Sequence, residues 1–185
     1  SPCHNPTGYS LDDREWAESV RILRAAARRG PLAFLNDHAY AKFGEQAERR
    51  WIEHASEMVG EVLLLVAWTV SKSFALYGAR VGALVAVHPD PEEARRLFNA
   101  LSYSCRGTWS NCNHLGLLAV ERLLSDPDLK ARSDRERERL VRMLAERVVV
   151  FNQHAGRAGL SYPRYRGGFF VSVFTPDPEV TATVA

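Results

Sequence analysis

Lysine is scarce in this sequence: three lysines stand against 21 arginines in 185 residues. Cation positions are filled by arginine almost by default, so each of Lys42, Lys72 and Lys130 is an exception to the chain's own habit. Cysteine is equally sparse. Cys3, Cys105 and Cys112 make no paired pattern, and an odd number with no visible targeting segment excludes a disulfide scaffold and favours a reducing, cytoplasmic compartment. No apolar run approaches the ~20 residues that a membrane-spanning helix requires. An excess of one charge is missing too: the formal net charge is +2 and the arginines are dispersed, so neither nucleic acid nor a membrane surface is expected as a partner. What is present, 46% hydrophobic and 25% charged residues, suffices for one good core of an α/β protein. The chain opens at Ser1, just ahead of a turn, and is expected to be a fragment of something longer.

Strand and helix signals alternate along the chain. After a loop at Ser1 to Gly8, Ser10 is the expected N-cap of a helix with Trp16, Val20, Ile22, Leu23 and Ala27 on its apolar face, stopped by Gly30-Pro31. Short buried strands are expected at Leu32 to Asn36, Val62 to Trp68 and Val81 to Val87, with a helix from Glu45 to Gly60 between the first two. Further helices are expected from Glu92 through Ala100, from Leu117 to Leu124, and from Ser133 to the glycines Gly156 and Gly159. The stretch from Cys105 to Gly116 reads as polar and irregular. Phe169 to Phe174 reads as a strand of a second unit, and Thr175-Pro176-Asp177-Pro178 as the start of another helix. This order predicts a mostly parallel sheet with helices on both faces. Residues 1–132 would form one domain, and residues 133–185 a long connecting helix and the start of a smaller, incomplete α/β domain.

Chemistry concentrates where the second strand ends. Lys72 arrives just past Val62 to Trp68, and the carboxyl ends of buried strands in α/β sheets are where ligands sit. A lysine desolvated there can condense with a carbonyl as a Schiff base. Thr69 and Ser71 supply hydroxyls, Arg80 a guanidinium suited to bidentate phosphate binding, and Gly78 and Gly82 allow close backbone approach. Together they suggest a phosphorylated aldehyde as ligand, against the plainer reading of a surface lysine in a turn. Asp37 and Tyr40 lie at the end of the first strand in the same way, although an aspartate there also serves to cap a turn. Cys112 and His114, with Cys105 or Cys3-His4, are conceivable metal ligands, but their spacing fits no standard zinc pattern and no metal is expected.

Four pieces stand in register: Asn5-Pro6-Thr7-Gly8, Asp37-x-x-Tyr40, Ser71-Lys72 with Arg80 eight residues on, and Arg106-Gly107-Thr108-Trp109-Ser110-Asn111. In order and spacing the chain resembles the class I aminotransferases, their aspartate and aromatic amino-acid branch in particular, over nearly its whole length. The resemblance implies the large domain of a fold type I transferase dependent on pyridoxal 5'-phosphate, working as a homodimer with active sites at the interface. It implies a transaminase that moves an amino group between an amino acid, aspartate or aromatic, and a 2-oxo acid such as 2-oxoglutarate. By that likeness Lys72 holds the cofactor as a Schiff base and shuttles the proton. Asp37 pairs with the pyridine nitrogen, Tyr40 and Asn5 hydrogen-bond the phenolic oxygen, and Arg80, Thr69 and Ser71 hold the phosphate. Arg106 reaches into the neighbouring subunit to bind the distal carboxylate of a dicarboxylic substrate. The sequence departs from the branch at Cys112-Asn113, where two prolines are usual. The branch's glycine-rich phosphate turn and the arginine for the substrate α-carboxylate lie outside the matching stretch. Another fold type I chemistry, such as a lyase, or a truncated non-catalytic domain, are the alternatives.

Overall fold

The computed structural model describes residues 1–44 and 46–184. Its first helix, α1 (Asp13–Ala27), is capped by Asp12, not by Ser10. The reason is spacing. Asp12 stands three residues before Glu15, so its Oδ1 accepts from the Glu15 amide at 3.0 Å while the Glu15 carboxylate accepts from the Asp12 amide at 2.8 Å, a reciprocal capping box. Ser10 is buried instead. Arg164, from far along the chain, reinforces this corner by donating to Asp12 Oδ2 and to the Ser10 carbonyl, each at 3.0 Å.

Three strands form one sheet in the order β1 (Ala33–Asp37), β2 (Leu63–Thr69), β3 (Gly82–Val87). The β1–β2 pair is parallel, with Asp37 opposite Ala67. The expectation of parallel pairing stops there, because β3 runs antiparallel to β2, with Gly82 opposite Thr69. A parallel return needs a crossover that carries the chain back along the sheet. The residues between β2 and β3 turn in place: a single helical turn, α3 (Val70–Ser73), and a 3-10 turn at Tyr77–Ala79. Gly82 is needed at this junction, since a Cβ there would stand 2.7 Å from the Trp68 carbonyl oxygen. Gly78 has open space around it and makes no such close approach.

One face of the sheet is covered by α1 and by α2 (Ala47–Ser56), which is shorter than the expected helix; Glu45, its expected first residue, lies outside the described residues. Trp16, Val20, Trp51, Ala55, Met58, Val62 and Leu64 make the core, with Phe34 and Val66 packed against it. The period of two along β1 sends Phe34 and Asn36 to this packed face and leaves Leu35 and Asp37 exposed on the other.

The remaining helices are α4 (Pro91–Thr108), α5 (His114–Ser125), α6 (Pro127–Ala155) and α7 (Pro178–Val184). The irregular stretch expected at Cys105 to Gly116 shrinks to residues 109–113 because α4 runs on to Thr108. Asp126 caps α6 through the Asp128 and Leu129 amides, with Pro127 at the first helical position, so this helix begins six residues before the expected Ser133 and is continuous through residues 132–133. Phe169 to Phe174 is not a strand. Only a single bridge, Phe174 to Ser161, engages it among the described residues, and without a neighbouring strand its aromatic side chains dock elsewhere: Phe169 lies 4.7 Å from Phe43 and 5.6 Å from Tyr40 between ring centroids. No helix of the described residues is long and apolar enough to cross a membrane.

Candidate active site

Lys72 owes its position to a hydroxyl. Thr69, the last residue of β2, caps α3 by accepting from the Ser71 amide at 3.1 Å, and its oxygen lies 2.9 Å from Ser71 Oγ and 3.2 Å from the Val81 carbonyl. Strand, cap and single turn therefore follow one another without slack, and the turn presents Lys72, half-buried, at the end of the sheet. Its Nζ lies 4.3 Å from the centroid of the Tyr77 ring and 5.7 Å from that of Tyr40. The Arg80 guanidinium lies 5.1 Å from the same Tyr77 ring, and its Nη1 donates to the Tyr77 carbonyl at 3.0 Å. Two cations thus share one aromatic ring, whose quadrupole attracts each of them.

The loop that does this is strained. Ala75 and Arg80 both have φ of +53°, a left-handed conformation unfavourable for residues with a Cβ and one that recurs at ligand-binding loops. It is tied down from outside by Asn113, which donates to the Ala79 carbonyl at 2.8 Å and accepts from the Gly116 amide at 3.2 Å as the cap of α5. Asn113, one of the two departures from the family pattern, accordingly has a definite structural task.

From β1 come the other polar groups. Asp37 ends the strand, exposed, with Oδ1 accepting from the Ala39 amide at 3.0 Å, so it does cap a turn while its carboxylate remains open to solvent. The adjacent His38 amide donates to the Ala67 carbonyl at 2.9 Å, which fixes this segment to β2 two residues before Thr69. Tyr40 is buried, and its phenolic oxygen accepts from Asn5 Nδ2 at 3.5 Å.

Arg106 makes its hydrogen bonds at the far end of α4. It occupies the last turn of α4, exposed, with Nη1 donating to the carbonyl and the hydroxyl of Ser110 at 3.2 and 2.8 Å. The cysteines separate: Cys3 is buried, its thiol pushed up to about 12 by burial, whereas Cys105 and the exposed Cys112 lie by the α4–α5 loop. Burial and then the neighbouring Cys112 push the Cys105 thiol up. Among the described residues no group of three or more histidines, cysteines or carboxylates is placed to hold a metal ion.

Two features escaped the sequence reading. Tyr77 left no signal beyond its place between Lys72 and Arg80. The buried polar set behind Asp37 did leave one, a histidine inside the Asp37 to Tyr40 motif. His38 is 7% exposed, its Nε2 lies 3.1 Å from Glu48 Oε1, and Lys42 Nζ donates to Glu48 Oε2 at 2.9 Å. Hydrogen bonds from His38 first, and then from Lys42, outweigh partial burial and hold the Glu48 carboxyl down at about 2.

The family model of aminotransferase class I and II matches residues 2–183. An aspartate aminotransferase of Pseudomonas aeruginosa is 32% identical over 180 residues, covering 95% of this chain and 44% of the relative. Among solved structures, an aminotransferase of Anaerococcus prevotii superposes with a TM-score of 0.87 at 32% identity, over 100% of this chain and 45% of that one. An aromatic-amino-acid aminotransferase of Burkholderia pseudomallei, solved with pyridoxal phosphate covalently bound, gives a TM-score of 0.75 at 30% identity, over 90% and 42% of the two chains. The chain therefore spans under half the length of the relatives it matches.

Proposed function

Because this chain belongs to the class I and II aminotransferases, we propose that it supplies the lysine-bearing part of a pyridoxal-phosphate-dependent transaminase site. The substrates would be aspartate or an aromatic amino acid and a 2-oxo acid such as 2-oxoglutarate. The observation that carries this reading is Lys72 Nζ, half-buried at the end of β2 against Tyr40 and Tyr77, with Arg80 on the same Tyr77 ring.

The side chains present fit pyridoxal phosphate by their chemistry. A primary amine can condense with its aldehyde, and the Thr69 and Ser71 hydroxyls with the Arg80 guanidinium suit its phosphate. Tyr40 and Asn5, already hydrogen-bonded to each other, suit its phenolic oxygen. Asp37, the open carboxylate at the end of β1, suits its ring nitrogen. When bound, pyridoxal phosphate supplies a protonated ring that accepts the electron pair left at the substrate α-carbon. With its amine free, Lys72 would take the substrate α-proton at Nζ as general base and give up a proton as general acid. The Tyr40 and Tyr77 rings flank that amine. Asp37 would offer a carboxylate to pair with the ring nitrogen, which an amide could not replace.

Substrate choice falls to Arg106. A guanidinium that selects a second carboxylate strongly disfavours analogues lacking one, because it would be left unpaired. That Arg106 is exposed and hydrogen-bonds Ser110 supports a site shared between two copies in a homodimer, and the exposed Tyr103 and Trp109 at the same end of α4 suit such a contact. Residues 1–132 would belong to the large domain and residues 133–185 to the connecting helix and smaller domain. Free cysteines at positions 3, 105 and 112 suit the cytoplasm.

The test is covalent. The protein is mixed with pyridoxal phosphate, reduced with borohydride and digested; a pyridoxyl group confined to the peptide of Lys72, and abolished by Lys72→Ala, is expected. A label spread over Lys42 and Lys130 as well would overturn the assignment.

A further inference from the structure

The Asp37 segment alternates in direction. Asn36 and His38 are buried toward α2, at 0% and 7% exposure, and Asp37 between them is exposed on the opposite side. The two buried side chains are joined: Asn36 Nδ2 lies 3.3 Å from His38 Nδ1. On its other nitrogen His38 meets Glu48 at 3.1 Å, and its ring packs on Trp51 with centroids 5.2 Å apart. Glu48 is itself held by Lys42 at 2.9 Å. This chain of contacts runs from the residue before Asp37 to α2 and back to the 3-10 turn Ala41–Phe43, which directly follows Tyr40. Both ends of the segment that presents Asp37 and Tyr40 are therefore fastened to one carboxylate.

We infer that His38 is a positioning residue for the cofactor's ring nitrogen: bridging Asn36 to Glu48, it fixes the backbone on both sides of Asp37 and so aims that carboxylate. The inference rests on the pyridoxal-phosphate reading of the Lys72 site. Its physical basis is that a side chain at a strand end is free to swing unless its neighbours are held, and both neighbours here are polar groups held by buried hydrogen bonds. The buried Asn36 Oδ1 has no partner of its own, which makes His38 the main hold on that amide. The charged groups facing His38 are Glu48 directly and Lys42 through it; Trp51 contributes an uncharged ring.

The experiment compares two ligands. Pyridoxal phosphate can pair with Asp37 through its ring nitrogen; the analogue with CH in place of that nitrogen cannot. Equilibrium affinities of both are measured for the parent protein, for His38→Phe, which keeps a ring on Trp51, and for Glu48→Gln, which keeps volume and weakens the bridge. Both variants are expected to bind pyridoxal phosphate roughly tenfold more weakly, the loss of a hydrogen bond to a charged group, and the analogue almost as well as the parent does. His38→Gln, which retains one donor toward Glu48, should recover part of the loss. Unchanged affinity for pyridoxal phosphate in both variants would overturn the inference, and so would an equal loss for both ligands, since that marks general destabilisation. If His38→Phe does not fold, Glu48→Gln decides alone. Failure of the parent to be labelled at Lys72 refutes instead the reading of the site, so the two failures are distinct.

Discussion

Tyr77 sets how two like charges coexist beside Lys72. Its ring faces both the Lys72 ammonium and the Arg80 guanidinium, at 4.3 and 5.1 Å, and is itself 62% exposed. Tyr77→Ala should weaken pyridoxal phosphate binding roughly fivefold to thirtyfold, from two exposed cation–π contacts of about 0.5–1 kcal/mol each, while Tyr77→Phe should remain close to the parent. Equal losses in both variants would shift the role from ring to hydroxyl. Asp37→Asn is expected to leave binding partly intact while lowering turnover by orders of magnitude, because an amide does not keep the ring nitrogen protonated; near-normal turnover would remove that role. Lys72, Thr69, Ser71 and Arg80 were legible in the sequence because each is placed by its count from the end of a strand. Tyr77 was not, since an aromatic residue in a turn looks the same whether it shields a cation or faces solvent.

At the scale of elements, legibility followed the reach of the interaction. Helix α6 and strand β2 are specified by local pattern and were found, with boundaries off by a few residues where a cap decides the matter: Asp12 over Ser10, Asp126 ahead of Ser133. The antiparallel pairing of β3 and the irregular backbone at Phe169 depend on which strands are available as neighbours, and no local pattern states that. Instead of strand pairing, residues 167–168 meet the 3-10 turn Ala41–Phe43 backbone to backbone: the Gly168 amide donates to the Phe43 carbonyl at 3.1 Å, and a Cβ on Gly167 would lie 2.4 Å from that oxygen. Gly167→Ala should cost about 1–3 kcal/mol in denaturant unfolding, as overpacking against backbone does, whereas Gly156→Ala, with nothing near its Cβ, should be nearly neutral. The anchor between this turn and α2 predicts an acid response as well. Glu48, lowered from 4.5 to about 2 in the folded protein, stabilises the fold above about pH 4.5, and that stability drains away as pH falls from there toward 2. Glu48→Gln should flatten this part of the stability profile; an unchanged slope would show that the carboxylate contributes nothing to it.

At the scale of the whole molecule, Arg106 and the Lys72 cluster share no hydrogen bond among the described residues. Arg106 is occupied by Ser110 at the end of α4, beside exposed Tyr103 and Trp109. If the site is shared between two copies, a Lys72→Ala subunit still offers a sound Arg106, and an Arg106→Leu subunit still offers a sound Lys72. Each variant alone would lack one component in every site. In a mixed dimer one site would combine both defects and the other would combine neither. Random reassembly of equal amounts makes half the dimers mixed, so activity with a dicarboxylic substrate should return to about a quarter of the parent's on symmetry grounds alone. Restoration should grow with the time allowed for subunit exchange and vanish when the two variants are each cross-linked before mixing. An Arg106 that serves its own chain predicts no restoration at any mixing ratio, whereas equal losses of the Arg106→Leu protein with aromatic and dicarboxylic substrates would count separately against Arg106 as the clamp on a distal carboxylate.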